Sequence, residues 1–394
     1  MTSAATTPAA RTSAPAHVLR ILAPAQFALS LGYGVLFALL APLQDAHGLP
    51  TAGLGLISGA TFLTSLAAQL GLARFADRGY TKALLYGGMA TAALSLVWLG
   101  SASTLWEFVL ARSVEGFAIG CFVPAGRAWL VSADPGRAGR NLGVLASFDV
   151  AGVTLGPLLG AVVARRLGLR APFFLLAACV LAALAVVVAS KPETAPRTDS
   201  HHSTKGGIRT LIRIRPVLAA VILTVALEFP VGIYDSLWSR LLTDLGASAT
   251  FIGVGLALFG LPFMVLTPFG GRAGDRFGAL RVTTWSFALI VPATFAYGFL
   301  ARPGLITVMA VLEAVGTAFA FPAAQAAVAE DSPPHLLATG QGLALAAGIG
   351  AAGAAAFVAP LVYEEVGAAW LFGITAALMV ALVAVAVSIT RKPT

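Results

Sequence analysis

The sequence predicts an all-α membrane protein in which twelve transmembrane helices form two six-helix bundles related by a pseudo-two-fold axis. Three observations carry this expectation. Hydrophobic residues make up 58% of the 394-residue chain and charged residues 11%, the latter under half the ~25% of a soluble domain. Apolar runs of bilayer-crossing length follow one another along the chain, and its two halves repeat each other at a fixed spacing. A globule of this composition could not cover its surface with polar groups, so lipid is the solvent for most of it. A cytosolic enzyme, a secreted disulfide scaffold and a disordered tail are excluded.

A crossing helix needs about 20 mainly apolar residues. The runs at 21–44, 52–73, 83–101, 106–132, 141–164, 171–190, 216–239, 249–270, 281–301, 304–329, 337–362 and 368–390 meet that requirement. Residues 1–20 read as a tail, and 21–44 as a retained first helix rather than a cleaved signal, because span follows span. Lys/Arg bias sets orientation. With the N-terminus in the cytoplasm, 18 of the 25 Lys and Arg fall on the cytoplasmic side and five outside, leaving Arg112 and Arg127 within a span. Both termini (1–20 and 391–394) are then cytoplasmic, and the expected site is a bacterial-type plasma (inner) membrane. Segment 191–215, rich in Pro, Ser, Thr and charge, is a linker dividing bundle 21–190 from bundle 216–390. Its end, IRTLIRIR, reads either as plain solvated linker or as a weakly amphipathic stretch on the anionic inner leaflet.

The net charge of +8 does not gather into basic clusters on a folded surface, so no nucleic-acid partner is implied. Cys121 and Cys179 lie in apolar runs and form no disulfide framework. The five His fall near segment ends or in gaps, so no metal site and no cofactor are expected. There is no phosphate-binding Gly-Lys-Ser/Thr loop, and no facing nucleophile and base. The chain does not read as an enzyme.

The repeat is specific. Asp77-Arg78 after the second span and Asp275-Arg276 after the eighth stand 198 residues apart. The same spacing relates Glu115 to Glu313, Pro124 to Pro322, Ala128 to Ala326 and Pro135 to Pro333. Six spans return the chain to its starting side, so the halves are parallel. Such folds bind substrate near mid-bilayer between halves that rock around it.

On these residues the chain resembles the major facilitator superfamily along its whole length. Gly271-Arg272-Ala273-Gly274-Asp275-Arg276-Phe277-Gly278 with Arg281 fits the family's signature loop. The first copy keeps Asp77, Arg78 and Lys82 but has Ala73 where Gly is usual and Gly79 one place early. The resemblance implies that these loops latch the halves on the cytoplasmic side, each Asp meeting a helix N-terminus and basic partners; a charged turn is the plainer role. Arg112-Ser113-Val114-Glu115-Gly116 with Gly120 looks like the fourth-helix motif linked to proton transfer. Arg112 and Glu115, at i and i+3, can pair on one face, either for function or as a structural ion pair. In the fifth span Gly143, Gly152, Gly156-Pro157 and Gly160 reproduce the motif of drug–proton antiporters, with Ala161 replacing the final Gly. Gly152, Gly156 and Gly160 fall within roughly 80° of one another and permit close helix approach, and Pro157 bends the helix.

Antiport against protons needs a carboxylate that can be wetted, protonated and occluded. The acids within spans are Glu115, Asp149, Glu228, Asp235 and Glu313, and an ionisable group there costs about 2.5–3.5 kcal/mol. Glu228, near mid-bilayer, is the first choice for a proton or cationic-substrate site. Asp235 lies seven residues on, on the same face, either in that site or as an interfacial charge near Arg240. Pro230 and Gly232 between them suggest a locally broken helix. Asp149, on the glycine stripe, ranks second. Glu313 ranks third: it is the repeat mate of Glu115 but has Ala310 where Arg112 would stand. Glu115 is expected to be held by Arg112, and Arg127 to pair with an acid from another helix. The first helix carries Gln26, Tyr33 and Gln44 but no acid before Asp45, where many antiporters of the family carry one. Coupling therefore falls to later helices, or is not by protons. The expected function is a monomeric, multi-pass secondary transporter exporting small lipophilic compounds or drugs in exchange for protons. The alternatives are a proton-linked metabolite or sugar transporter of the same fold, and a transport-inactive sensor.

Overall fold

The computed structural model of the protein describes residues 14–75, 79–134, 137–190 and 204–390, and its regular structure there is helical throughout. The first half contains α1 (Ala14–Gly34), α2 (Leu36–His47), α3 (Thr51–Phe75), α4 (Thr81–Ser101), α5 (Leu105–Ala133), α6 (Ala138–Leu167) and α7 (Ala171–Ala189). Val35 keeps helical backbone angles (φ −55°, ψ −34°), so α1 and α2 make a single crossing. The second half contains α8 (Thr204–Leu211), α9 (Arg215–Asp244), α10 (Ala249–Phe277), α11 (Ala279–Ala296), α12 (Pro303–Asp331) and α13 (Leu337–Thr390).

Eleven helices are long and apolar enough to cross a membrane. The 54 residues of α13 would extend about 80 Å if straight, well beyond a hydrocarbon core of ~30 Å. Gly367, with φ 83° and ψ 176°, interrupts them. Before it the chain climbs beside α9, from Gly348 against Glu228 to Tyr363 bonded to Asp244. After it the chain returns along α11, from Ala368 beside Gly298 to Val387, which shares a groove with Thr284. Counted as two stretches, α13 supplies the two last expected spans and brings the helical runs to twelve.

Three local expectations change. The signature segment at 271–277 is not a loop but the last turns of α10, since its polar side chains are exposed and solvent can satisfy them. Gly278, at φ 93°, ends the helix. The end of the linker forms α8, whose Leu211 is buried while Ile208 and Ile212 are exposed. Nor is α9 broken at Pro230: it runs unbroken from Arg215 to Asp244, because a proline within a span is tolerated where neighbouring groups satisfy the freed carbonyl. Gly232 serves a different end, allowing the backbone of α13 at Ala352 to pack where a Cβ would collide with it. Asp77 and Arg78 lie outside the described residues.

Small residues set the spacing of the first bundle. A Cβ on Gly152 would stand 2.6 Å from that of Ser30, and one on Gly156 2.6 Å from the Leu31 carbonyl oxygen. Gly34 answers from α1, where a Cβ would stand 2.6 Å from the Val153 oxygen. The glycine stripe of α6 is thus the seam along which α1 lies on it, nearly backbone to backbone.

The halves close on each other at the end distant from the chain termini. The Ala41 N–H donates to Ser239 Oγ (3.2 Å) and Ser239 Oγ to the Ala38 carbonyl (3.3 Å), while Arg240 reaches Asp45 at 2.6 Å. Gly253 of α10 sits against Pro157 and Leu158 of α6, and Gly55 of α3 against Ala356 and Pro360 of α13. Among the described residues, every hydrogen bond and ion pair between the bundles lies at mid-depth or in this distal half.

The seam makes a graded prediction. Gly156→Leu should lower the melting midpoint in detergent by an amount matching ~1–3 kcal/mol of overpacking. Gly143→Ala, a position with nothing within 4 Å of an added Cβ, should leave the midpoint unchanged. Equal effects at the two positions would contradict the seam.

Candidate functional site

The buried polar groups that cross from one bundle to the other at mid-depth converge on Asp235 of α9. Its Oδ2 accepts from the Tyr33 hydroxyl of α1 at 2.6 Å, and its Oδ1 from Ser58 Oγ of α3 at 3.0 Å. Arg112 Nη2 of α5 lies 3.3 Å from Oδ1. The other arm of Arg112 pairs with Glu115, one turn along, and its guanidinium stands over the Tyr33 ring, 5.0 Å from the centroid. Arg112 is 0% exposed, Glu115 4% and Asp235 4%, so lipid and bulk water are both shut out. The cluster sets two carboxyl groups against one guanidinium. Among the described residues Arg112 Nε finds no acceptor.

This overturns the placement of Asp235 beside Arg240. Arg240 is half-exposed and pairs with Asp45 of α2 and Asp244 of its own helix; Tyr363 of α13 donates to Asp244 at 2.7 Å. The two groups lie five residues apart on α9, well over a turn, and so on different sides and at different depths. Tyr33, Arg112, Glu115 and Asp235, drawn from three helices, form one cluster.

Two acids lie nearer the end carrying the termini. Asp149 of α6 is half-buried and accepts from Gln26 Nε2 (2.9 Å) and Ser30 Oγ (2.5 Å), both of α1. Glu228 of α9 is also half-buried, packs over Gly348 of α13, and makes no hydrogen bond or ion pair among the described residues. Gln26 precedes Tyr33 by seven residues, as Glu228 precedes Asp235. Because Tyr33 and Asp235 touch, the two pairs bring Asp149 and Glu228 to similar depth on opposite bundles, roughly 10 Å from the Asp235 cluster.

Glu313 sits apart, 4% exposed within the second bundle, and accepts from the hydroxyls of Tyr234 (2.9 Å) and Tyr297 (2.5 Å). Ser58, Tyr234 and Tyr297 are partners the sequence did not single out. A hydroxyl on an apolar helix carries no periodic signal of its own, although tyrosine is scarce here, with six in the chain.

Of the remaining predicted residues, Asp275, Arg276, Gly278 and Arg281 are exposed and Gly271 and Lys82 half-buried. Asp275 has no partner among the described residues. Arg276 stands over the Phe277 ring, 5.1 Å from its centroid. Arg127 is exposed and, among the described residues, pairs with no acid. Gly152, Gly156 and Gly160 all face α1; Gly143 does not touch it. Among the described residues no group of His, Cys, Asp and Glu is placed to hold a metal ion.

Comparison with known proteins places this architecture. The family model of the Major Facilitator Superfamily matches residues 22–238 and 220–394. The chain is 28% identical over 254 residues to the multidrug resistance protein MdtG of Enterobacter lignolyticus, covering 61% of this chain and 60% of that one. It is 25% identical over 279 residues to MdtG of Serratia proteamaculans, with 69% and 67% covered. It is 28% identical over 254 residues to the uncharacterized MFS-type transporter YuxJ of Bacillus subtilis, with 62% and 63% covered. The chain thus spans about 60% of the length of the first MdtG relatives it matches. Among solved structures, a bacterial homolog of the human lysosomal transporter Spinster, inward-facing and occupied, superposes with TM-score 0.76 at 16% identity over 97% of this chain and 98% of that one. Nucleoside transporter NupG gives TM-score 0.76 at 15% identity over 95% and 99%. At such identities the likeness shows the fold. The chain belongs to the major facilitator superfamily.

The two ion-pair sites should respond differently to truncation. Removing one partner of a buried pair costs about 3–5 kcal/mol, whereas an exposed pair is worth ~0–1 kcal/mol. Arg112→Ala should therefore lower the melting midpoint far more than Arg240→Ala, and only the latter's effect should fade in high salt. Equal losses in the two variants would mean that the Asp235 cluster does not hold the bundles together.

Proposed function

We propose that this member of the major facilitator superfamily is a secondary active transporter of the bacterial inner membrane, not an enzyme, that exports small lipophilic compounds in exchange for protons. The observation that carries this reading is the buried pair between Asp235 of one bundle and Arg112 of the other. With both termini taken as cytoplasmic, the distal closure faces outward and the conformation is inward-facing. The relatives named multidrug resistance proteins and the fifth-span glycine motif support export.

The chemistry follows from the contacts. When the bundles part at the distal end, Asp235 and Arg112 separate, and an acid stripped of its cation takes a proton from the outer side. When they close again, Arg112 returns within hydrogen-bond reach. With Arg112 again paired to it, Asp235 gives its proton up toward the only open side, the cytoplasm. Each cycle thus carries a proton inward. Glu228, half-buried and without a hydrogen-bond or ion-pair partner among the described residues, is the acid we assign to receive a cationic centre. Asp149, satisfied by Gln26 and Ser30, lies at a similar depth in the other bundle. Apolar helix faces around these two acids suit a lipophilic body.

The test is transport into everted vesicles holding the purified protein, with ethidium and a panel of neutral lipophilic dyes as probes. Dye accumulation should accompany proton release. Asp235→Asn should abolish the proton-driven part while leaving dye binding. Glu228→Gln should weaken ethidium at least tenfold and the neutral dyes little. Proton movement indifferent to every dye would refute exchange, and full proton-driven transport by the Asp235 variant would refute its role.

A further inference from the structure

Two successive residues of α9 answer to opposite bundles. Asp235 turns to the first, as described. Tyr234, about 100° around the helix, turns into the second, where its hydroxyl donates to Glu313 Oε1 at 2.9 Å and lies 3.3 Å from Thr294 Oγ1. Tyr297 of α11 donates to Glu313 Oε2 at 2.5 Å. The rings of Tyr234, Trp238, Tyr297 and Phe372 meet edge to face, with centroids 5.1 to 6.1 Å apart, and wall the carboxyl in.

The contrast with Glu115 is informative. Glu115 has Arg112 one turn before it; in the repeat that position is Ala310, and among the described residues no cation pairs with Glu313. A carboxylate charge enclosed without a cation is costly even when hydrogen-bonded. A neutral carboxylic acid fits the same cage, because a phenol oxygen can accept as well as donate. Glu313 is 4% exposed and Tyr297 1%, while Tyr234 is half-buried. Of the two phenols on the carboxyl, Tyr234 is the less buried.

We propose that the Glu313 cage is a second proton-binding site, separate from Asp235, and that Tyr234 is the positioning residue that relays protons between it and the space between the bundles. The inference rests on the proton-driven reading above and deepens it to two protons per cycle. In the step itself, a hydronium gives a proton to the Tyr234 oxygen and becomes water, as the phenol's own proton passes to Glu313 Oε1. Tyr234 ends neutral and Glu313 ends as the acid. Tyr234 of α9 and Tyr297 of α11 are the titratable groups facing the carboxyl. Thr294 touches the Tyr234 hydroxyl, and Trp238 and Phe372 pack on the two phenol rings, none of them charged. One helix then senses both sites: a shift of α9 that separates Asp235 from Arg112 also moves the Tyr234 hydroxyl against Glu313.

The experiment needs no transported substrate. Full-length protein in phosphatidylcholine–phosphatidylglycerol vesicles is stepped in pH and followed by time-resolved infrared difference spectroscopy, reading the carboxylic-acid carbonyl band. Glu313→Gln should remove one component of that band, and Asp235→Asn a different one. Tyr234→Phe should keep the Glu313 component but slow its appearance at least tenfold. Tyr297→Phe, which removes a donor with no access to water, should move the band and leave the rate within twofold. Melting midpoints confirm that the Tyr→Phe variants are folded. A spectrum unchanged by Glu313→Gln overturns the site. A Tyr234→Phe rate equal to wild type, or a Tyr297→Phe rate slowed as much, overturns the relay. Failure of dye–proton exchange with the infrared result intact would instead count against the transport reading alone.

Discussion

An arginine belonging to one bundle and an aspartate belonging to the other meet where neither lipid nor bulk water can solvate them. Each is tolerable there because of the other. Arg112 without Asp235 would keep only Glu115, and Asp235 without Arg112 would keep two hydroxyls against a full negative charge. The charge state of this cluster and the contact between the bundles are therefore a single variable: separating the bundles strands both ions, and neutralising either weakens the contact. The cluster is also incompletely satisfied. Among the described residues Arg112 Nε has no acceptor, and an unsatisfied buried donor costs about 1–3 kcal/mol. A pair evolved only to fasten two bundles would gain by filling that vacancy. One that must open and re-form is better left short of its optimum.

The glycine seams supply the complementary mechanical property. Within the first bundle, Gly152, Gly156 and Gly34 bring α6 and α1 so close that any side chain would meet backbone. Dispersion contacts between such surfaces hold helices together in lipid, where no hydrophobic force does. Between the bundles, Gly253 and Gly55 give flat surfaces against Pro157 and Ala356. Flat surfaces offer little interdigitation to resist rolling. The bundles can thus be stiff inside and mobile against each other, with polar specificity confined to a few groups around Asp235 and Ser239.

What could be read from the sequence was whatever repeats or costs energy locally. Span lengths follow from bilayer thickness, and the glycine spacing by itself dictates a close-packed face. The pairing of Arg112 with Glu115 needed only helical periodicity. The partner of Asp235 was not legible, because it comes from α5, across the boundary between bundles, and no sequence interval encodes that approach. Helix continuity misled in the same way. Pro230 and Gly232 look like a break in isolation, yet the neighbouring backbone at Ala352 makes Gly232 a contact surface within an unbroken α9. Tyrosine was the neglected signal: four of the six, Tyr33, Tyr234, Tyr297 and Tyr363, donate to a carboxylate. In a chain poor in polar side chains, a phenol is the apolar helix's means of satisfying an acid.

The duplicated architecture also explains why the two bundles need not share one chemistry. Duplication places Glu115 and Glu313 at matching depths, each on a helix that contacts the opposite half or the helix bridging to it. From that common start, one copy kept an arginine and drew in an acid from the other bundle, which ties its charge to the contact between bundles. The other copy has alanine at the matching position and enclosed its acid with tyrosines of its own bundle, which ties its charge to α9 and α11. Because α9 carries Tyr234 and Asp235 side by side, both arrangements converge on the same helix. Rigid-body rocking of the bundles and a local adjustment of α9 are then not independent motions, and a charge change in either copy biases both.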